Sequence, residues 1–221
     1  MKKIFITATD TDAGKTHIAQ SILYALSQQK LKVAAFKPIS AGCELIDDQL
    51  INEDARLLAE QANCGQTIAA VNPIAFKEPI APHIAAAKYQ QKIELADIYH
   101  NFQDIVRLQP DVVITEGAGG WRLPLGQGHF LSEFAQQTEQ QVILIVNMKL
   151  GCLNHAVLTY QAICQDGLSC LGWIANCQEE MPYLAENLAE LTQLIKAPLI
   201  GKVLYQPDIK QVAQALDLTL L

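Results

Sequence analysis

The sequence lacks the features that mark secreted, zinc-binding or membrane proteins. Its six cysteines are scattered over 221 residues, with no CxxC pair and no cysteine and histidine arrangement typical of a metal site. No apolar run reaches the roughly 18 residues that a bilayer-spanning helix needs. The polar stretch 9–12 interrupts the apolar start too early for an export signal. We therefore expect reduced cysteines and a cytoplasmic protein without a membrane segment.

Basic residues are also few, because 16 Lys and Arg stand against 23 Asp and Glu, for a formal net charge of -7. A surface of this sign repels a phosphate backbone, which excludes general binding of nucleic acid. Half of the residues are apolar, and no linker rich in proline, glycine or serine divides the chain. One domain over residues 1–221, with a substantial core, is the expected organisation.

Apolar runs of strand length recur along the chain, and most read as strands buried on both faces. The runs are 4–8, 31–36, 112–115, 142–146, 171–175 and 199–203. Segments with helical spacing separate several of them, among them 18–26 and 184–195, and 52–62 is also predicted to be a helix. This alternation predicts a three-layer α/β domain with a mainly parallel sheet, whose ligands bind beyond the carboxyl ends of the strands.

The first predicted strand leads into a candidate phosphate-binding loop, ATDTDAGKT at 8–16. Backbone N–H groups at the start of the next helix would face an anion, Lys15 would reach the β and γ phosphates, and the Thr16 hydroxyl would hold Mg²⁺. The strict pattern requires glycine where Thr9 stands, and a bare Gly-Lys-Thr occurs often by chance. The strand-loop-helix context favours nucleotide binding and a P-loop NTPase-like fold.

Three further charged residues follow predicted strands or open a predicted helix. Lys37 follows the second strand, so it is either a solvated strand-end lysine or a second cation at the phosphate site. Glu116 precedes the glycine-rich stretch 117–120, where a carboxylate can hold Mg²⁺ while the glycines let backbone approach phosphate. The alternative is a glutamate that merely starts a turn. Asp54 by itself is typical of the first turn of a helix.

Two segments near the ends of later strands also carry candidate contacts. The stretch 149–156 opens another predicted helix, whose exposed N-terminus could bind a carboxylate. His155 in its first turn is interpreted as a hydrogen-bonded structural residue and not as an acid-base catalyst. Asn176, at the end of the fifth strand, has the amide donor and acceptor needed to bind an adenine edge, and is also typical of a turn.

Taken together, these segments resemble the dethiobiotin synthetase family of ATP-dependent ligases. Two of the matching stretches are sequences that seldom occur by chance. They are Glu-Gly-Ala-Gly-Gly-Trp at 116–121 and Lys-Leu-Gly-Cys-x-Asn-His-Ala at 149–156. The others are 9–16, 37–38, 72–83, 172–176 and 197–199. The resemblance covers nearly the whole chain, although segments 43–70, 84–110 and 178–195 add little to it.

The resemblance implies a reaction that converts 7,8-diaminopelargonate, CO₂ and MgATP to dethiobiotin, ADP and phosphate in biotin biosynthesis. It implies that Lys15 and Lys37 are catalytic, because a carbamate anion must be brought against a triphosphate. The implied Mg²⁺ ligands are Thr16, Asp54 and Glu116, which offer the oxygen atoms that this ion prefers.

The resemblance also implies how nucleotide and diamine are held. The residues implied to bind MgATP are Asp12, Ala13, Gly14, Lys15, Thr16, His17, Asp54, Glu116, Gly117, Ala118, Gly119, Asn176, Cys177, Leu204, Tyr205 and Gln206. Those implied to bind the substrate are Thr11, Lys37, Ser40, Ala41, Pro82, Gly151, Cys152, Leu153 and Asn154. The last four would act on the substrate of the other subunit, so the resemblance implies a homodimer with its site at the interface.

Four positions depart from the family's pattern. Ala8 and Ala41 stand where the family has glycine and serine, Ala81 replaces a serine before Pro82, and Leu204 replaces a proline. We expect the two lost hydroxyls to change substrate affinity and to leave the reaction unchanged, because neither hydroxyl is needed to move charge.

Three other classes of protein compete with the ligase interpretation. A switch or partitioning ATPase of the related deviant P-loop class carries a second lysine five positions before the loop's main lysine, where Asp10 stands. A carboxylate-amidating enzyme on this fold normally needs a glutamine-hydrolysing domain, for which 221 residues leave no room. A binding module without activity would need neither Mg²⁺ ligands nor two lysines at one sheet edge.

Overall fold

The chain forms twelve strands and nine helices, and the computed structural model describes residues 1–221. In chain order the elements are β1 (Lys2–Ala8), α1 (Lys15–Gln28), β2 (Val33–Phe36), β3 (Ile39–Ser40), β4 (Glu44–Ile46), β5 (Gln49–Ile51), α2 (Glu53–Gln61), α3 (Ile68–Val71), β6 (Ile74–Ala75), α4 (Pro82–Lys88), α5 (Leu95–Arg107), β7 (Val112–Glu116), β8 (Pro124–Gly126), β9 (His129–Phe130), α6 (Leu131–Gln137), β10 (Gln141–Asn147), α7 (Cys152–Gln165), β11 (Cys170–Cys177), α8 (Leu184–Leu194), β12 (Leu199–Leu204) and α9 (Ile209–Gln214). None of these helices is both long enough and apolar enough to cross a membrane.

Six strands form the central sheet in the order β12-β11-β10-β1-β7-β2, and every neighbouring pair is parallel. They coincide with the six apolar runs of the sequence, so the predicted parallel sheet is confirmed. Along β7, Thr115 lies level with Phe36 of β2, and Glu116 lies level with Ile6 of β1. The carboxyl ends of these three strands therefore meet at one edge, where ligands bind in open parallel sheets.

The buried side chains divide into two clusters, because successive residues of a strand point to opposite faces of the sheet. Phe5 of β1 belongs to the first cluster, together with the packed rings of Phe36, Phe102 and Phe134. Its neighbour Ile4 belongs to the second cluster, which includes the buried face of α1. Helices thus cover both faces, which confirms the three-layer prediction and supports our proposal that the chain is one domain.

Between β2 and β7 the chain contains elements that its periodicity does not predict. The β4–β5 hairpin turns at Asp47 and Asp48, both with positive φ. The helix predicted over 52–62 is confirmed as α2, and the side chain of Asn52 caps its N-terminus. The first turn of α2 lies at the carboxyl edge of the sheet, where its residue Asp54 meets Lys37.

Candidate active site

The loop between β1 and α1 has the geometry of an anion-binding helix N-terminus. Gly14 is the N-cap of α1 with φ of 83°, a left-handed conformation that favours glycine. A Cβ at this position would lie 2.2 Å from Nδ2 of Asn176. The same amide group of Asn176 donates a hydrogen bond of 2.8 Å to the carbonyl of Ala13. The single glycine of the loop is therefore required both by its backbone conformation and by the close approach of β11.

Replacing Gly14 by alanine is expected to lower MgATP affinity roughly tenfold or more and to cost about 1–2 kcal/mol of stability, because alanine is strained at this φ and its methyl displaces Asn176. Titration calorimetry and thermal unfolding measure the two effects. Gly128→Ala is the matched control, since Gly128 has φ of 86° and no atom within 4 Å of its added Cβ. The control should lose stability and keep affinity. Equal losses of affinity in both variants would contradict the prediction.

A cluster of four side chains lies where the carboxyl ends of β2 and β7 meet the start of α1. Nζ of Lys37 lies 2.5 Å from Oε1 of Glu116 and 3.2 Å from Oδ2 of Asp54. The Thr16 hydroxyl donates a 3.0 Å hydrogen bond to the same Oε1 atom. Lys37 is 4% exposed and Glu116 is 1% exposed. The alternatives of a solvated strand-end lysine and of a glutamate that merely starts a turn are therefore wrong.

Burial and the neighbouring carboxylates act oppositely on the lysines of this cluster. Burial by itself lowers the pKa of Lys37, but the carboxylates of Glu116 and Asp54 outweigh burial and hold that pKa above its ordinary value. For Lys15, burial is the largest effect and lowers the pKa, and the charge of Lys37 adds to the lowering. Glu116 opposes the lowering of the Lys15 pKa, so nearby carboxylates favour the charged form of both lysines.

The cluster also fits a magnesium ion. Oε2 of Glu116 is buried and has no hydrogen-bond partner, which is costly for a carboxylate oxygen unless a cation or donor completes it. Together with the Thr16 hydroxyl and the half-exposed carboxylate of Asp54, it supplies the hard oxygen atoms that Mg²⁺ prefers. These three residues could therefore hold Mg²⁺ against the phosphates of a nucleotide.

A cleft of about 940 Å³ opens over this cluster and brings together most of the predicted site. The predicted residues that line it are Thr11, Asp12, Gly14, Lys15, Thr16, His17, Lys37, Ser40, Ala41, Asp54, Pro82, Glu116, Ala118 and Gly119. The other lining residues are Gln20, Asn52, Leu57, Pro79, Ile80, Leu123 and Gln178, which the sequence analysis did not predict, and Ala81, which it names only as a departure from the family's pattern. Pro79 and Ile80 lie in the matching stretch 72–83, which could have indicated them, whereas Gln20 and Gln178 lie in no motif.

A second cleft of about 480 Å³ adjoins the first through Gly14, His17 and Gln178, which line both. It contains four residues predicted near adenine, which are Asn176, Leu204, Tyr205 and Gln206, and also Glu179, Val203 and Pro207. The ring of His17 forms a 2.6 Å hydrogen bond with the carbonyl of Gln206, so the start of α1 is tied to the loop after β12. The two adjoining clefts thus contain most of the residues predicted to bind the nucleotide.

Three predicted nucleotide residues line neither cleft. The side chain of Cys177 is buried in the core, and Ala13 is likewise buried. Gly117 donates its N–H to the carbonyl of Ile6 at 3.0 Å, so this group is not free for phosphate. Ser40 does line the main cleft, but its hydroxyl donates a 2.6 Å hydrogen bond to Oδ1 of Asn72. Any contact of Cys177 with nucleotide would therefore come from its backbone, and the Ser40 hydroxyl could meet a ligand only as an acceptor. The role of these residues stays a prediction.

The predicted helix N-terminus at 149–156 is confirmed as the start of α7, with Gly151 as its N-cap at φ of 93°. Leu150 beside it is 98% exposed, and none of residues 151–154 lines either cleft of this chain.

His155 is exposed and its ring forms no hydrogen bond, so its interpretation as a hydrogen-bonded structural residue is wrong. Asp10 stands at the position of the switch ATPases' second lysine. Its carboxylate pairs with Nζ of Lys149 at 2.7 Å.

Solved structures with a similar fold include a cell division complex and an ATPase. The MinC:MinD cell division complex of Aquifex aeolicus matches with a TM-score of 0.57 and 13% identity, over 97% of this chain and 87% of that chain. A ParA family ATPase from Chlorobium tepidum matches with a TM-score of 0.56 and 13% identity, over 100% of this chain and 90% of that chain. At this identity the likeness concerns the fold alone, and it confirms the P-loop NTPase-like prediction.

Curated relatives extend the likeness to the whole sequence. A family model described as an AAA domain matches residues 2–213. The protein named ATP-dependent dethiobiotin synthetase BioD in Alteromonas mediterranea is 42% identical over 95% of this chain and 95% of its own length. The protein of the same name in Cellvibrio japonicus is 43% identical over 99% of this chain and 96% of its own. With the phosphate loop and the buried lysine-carboxylate cluster in place, the chain belongs to the family of ATP-dependent dethiobiotin synthetases.

Proposed function

We propose that this protein is the ATP-dependent ligase that closes the ureido ring of dethiobiotin from 7,8-diaminopelargonate and CO₂. Relatives named ATP-dependent dethiobiotin synthetase support the coarser role, a ligase of biotin synthesis that uses ATP. The observation that supports the reaction itself is the buried cluster of Lys37, Glu116, Asp54 and Thr16 in the same cleft as Lys15.

The proposed chemistry brings two anions together and therefore needs cations at fixed positions. One amine of the substrate adds to CO₂ and loses a proton, which gives a carbamate. A carbamate oxygen attacks the γ-phosphorus as ADP leaves, and the second amine then attacks the carbamoyl carbon as phosphate leaves. Lys15 and Lys37 would offset the charge of the carbamate and triphosphate, so accurate positioning matters more here than a strong base.

The ion pairs of Lys37 suggest how its charge becomes available. Its ammonium pairs with the carboxylates of Glu116 and Asp54. Mg²⁺ held by Thr16, Asp54 and Glu116 would supply positive charge for the β and γ phosphates. The ammonium of Lys37 would then be released from its two carboxylates and would face the carbamate.

The far carboxylate of the diamine is proposed to bind in a homodimer. Gly151, Cys152, Leu153 and Asn154 begin a 14-residue helix, whose N-terminus favours an anion, yet they do not line the cleft of their own chain. A second subunit that brings this helix end to the cleft would complete the site, and the exposed Leu150 would be covered. The cytoplasmic location expected from the sequence stays a prediction.

Binding of MgATP is expected to take up a proton at alkaline pH. Burial lowers the pKa of Lys15 in the free protein, so its ammonium loses its proton at a lower pH than an exposed lysine. Bound phosphate favours the charged form of Lys15. Affinity for MgATP therefore falls as pH rises, and at alkaline pH binding is accompanied by uptake of a proton on Lys15. Calorimetry in buffers of different ionisation enthalpy measures the uptake. Lys15→Arg stays charged and should bind without it; uptake that persists in this variant contradicts the assignment.

The proposed function is tested by phosphate release from MgATP in bicarbonate buffer, with and without 7,8-diaminopelargonate. We expect release that depends on the diamine and an equal amount of dethiobiotin by mass spectrometry. Steady release without diamine, and no dethiobiotin, would favour a switch ATPase and reject the ligase. The pairing of Asp10 with Lys149 argues against that alternative, because a carboxylate cannot replace a lysine in contact with phosphate.

A further inference from the structure

Residues 117–123 form the glycine-rich loop, and only some of these residues line the main cleft. Ala118 and Gly119 line the cleft, Trp121 and Arg122 do not, and Leu123 lines it again. With three glycines in four positions, the backbone of this loop has more freedom than most loops. Backbone groups that meet a phosphate must be held within a fraction of an ångström. Some contact outside the cleft must therefore hold the loop.

That contact is the carboxylate of Asp166, which follows the last residue of α7. Nε1 of Trp121 donates to its Oδ2 at 2.8 Å, and Nη2 of Arg122 donates to its Oδ1 at 2.7 Å. The side chain of Asp166 is 11% exposed, and its backbone carbonyl accepts a 3.0 Å hydrogen bond from Gln136. Each oxygen of one carboxylate thus holds one of two consecutive loop residues, from a position 44 or 45 residues away in sequence.

The indole ring of Trp121 connects the carboxylate of Asp166 to the backbone beside Glu116. Trp121 packs edge-on against Phe5, with ring centroids 5.7 Å apart. A Cβ on Gly117 would lie 2.9 Å from that ring, so Phe5 lies directly under the backbone next to Glu116. The contacts Asp166–Trp121–Phe5–Gly117 form an unbroken series that ends next to Glu116, a proposed Mg²⁺ ligand.

We infer that Asp166 is a positioning residue for nucleotide binding, which acts through Trp121 on the glycine-rich loop. The inference rests on the proposed function. The carboxylate makes no hydrogen bond within α7, and the end of that helix is satisfied by backbone bonds from Asp166 to Ala162 and from Gly167 to Cys164. Removal of the carboxylate therefore spares the helix and leaves the buried indole N–H of Trp121 without an acceptor.

The test compares Asp166→Ala, Asp166→Asn and Trp121→Phe by MgATP calorimetry, steady-state kinetics and thermal unfolding. Asp166→Ala should raise the Kd and KM for MgATP about tenfold, the effect of one hydrogen bond to a charged acceptor, while the KM for diamine changes less than twofold. Asp166→Asn should restore most of the affinity, because its amide oxygen still accepts from Trp121. The double variant Trp121→Phe, Asp166→Ala should be no weaker than the weaker single variant.

Asp104→Ala serves as the matched control, since Asp104 pairs with Arg107 on the exposed face of α5 and should leave the Kd unchanged. The inference is overturned if Asp166→Ala lowers the unfolding temperature but keeps the Kd, or if the two single effects add. It is equally overturned if Asp166→Asn binds MgATP as weakly as Asp166→Ala. A wild-type chain that binds MgATP but makes no dethiobiotin would instead reject the proposed function, and the Kd comparison would still decide the role of Asp166.

Discussion

Replacing Lys37 by methionine is expected to lower kcat roughly 100- to 1000-fold, the effect of removing one preorganised donor at developing charge. Methionine fills similar space but cannot offset the charge of the carbamate and phosphate. The KM for MgATP should change far less, because Lys15 and the Mg²⁺ ligands remain. Single-turnover assays with and without diamine separate the chemical step from binding.

The buried position of Lys37 predicts a second effect in the same variant. Glu116 loses its cation and keeps only the hydroxyl of Thr16, so the apo variant should unfold at a lower temperature. Saturating MgATP should restore part of the loss. Lys88→Met is the matched control, because Lys88 is an exposed lysine that also pairs with a glutamate, Glu78. Ligase activity in Lys37→Met equal to that of this control would reject the catalytic role.

Glu116→Gln is expected to lower kcat/KM for MgATP roughly 100-fold, because the amide keeps the shape of the carboxylate and loses the charge proposed to hold Mg²⁺. Excess Mg²⁺ should recover part of the activity. Titration of Mg²⁺ at fixed ATP measures both effects. Glu186→Gln, at an exposed position in the first turn of α8, is the control. A normal Mg²⁺ requirement in Glu116→Gln would remove this residue from the proposed metal site.

The same substitution carries a pH prediction. Burial lowers the pKa of Lys37, and in Glu116→Gln only Asp54 remains to oppose that effect. The pKa of Lys37 therefore falls, and the ammonium loses its proton at a lower pH. The proposed role needs the charged form, and kcat/KM reports the groups of the free enzyme, so the alkaline limb of kcat/KM for MgATP should move toward lower pH in the variant. A limb that stays in place would show that Lys37 is not the titrating group.

The cleft residues that the sequence analysis missed share a physical reason. Gln20 lies on α1 and Gln178 follows β11, and a glutamine in either position has no local pattern that distinguishes it from a surface residue. Asp166 is equally unremarkable as one acid before a glycine. Conversely, Cys177 follows the predicted adenine residue Asn176 directly, but successive strand residues point to opposite faces, so its side chain enters the core.

The departures at Ala41 and Ala81 take a definite form in the structure. Both line the main cleft, where each presents a methyl group in place of the family's hydroxyl. The hydroxyl of the neighbouring Ser40 does not compensate directly, because it donates to Asn72. The expectation of altered substrate affinity stays a prediction, and the structure explains why Ser40 cannot simply replace the lost serine.

Local sequence by itself determined the six core strands, the helix-capping turns and the phosphate loop. Each depends on residues close together in the chain: an apolar run, a cap, or a glycine followed by Lys15 and Thr16. The partners of the charged residues were decided only by the tertiary structure. Lys37 meets Glu116 across 79 residues because β2 pairs with β7 in parallel, and Thr16 meets it across 100 residues because β1 lies on the other side of β7. Burial, which depends on all three layers, removes Lys37 and Glu116 from water. Their charges must therefore be offset by one another and by whatever binds in the cleft.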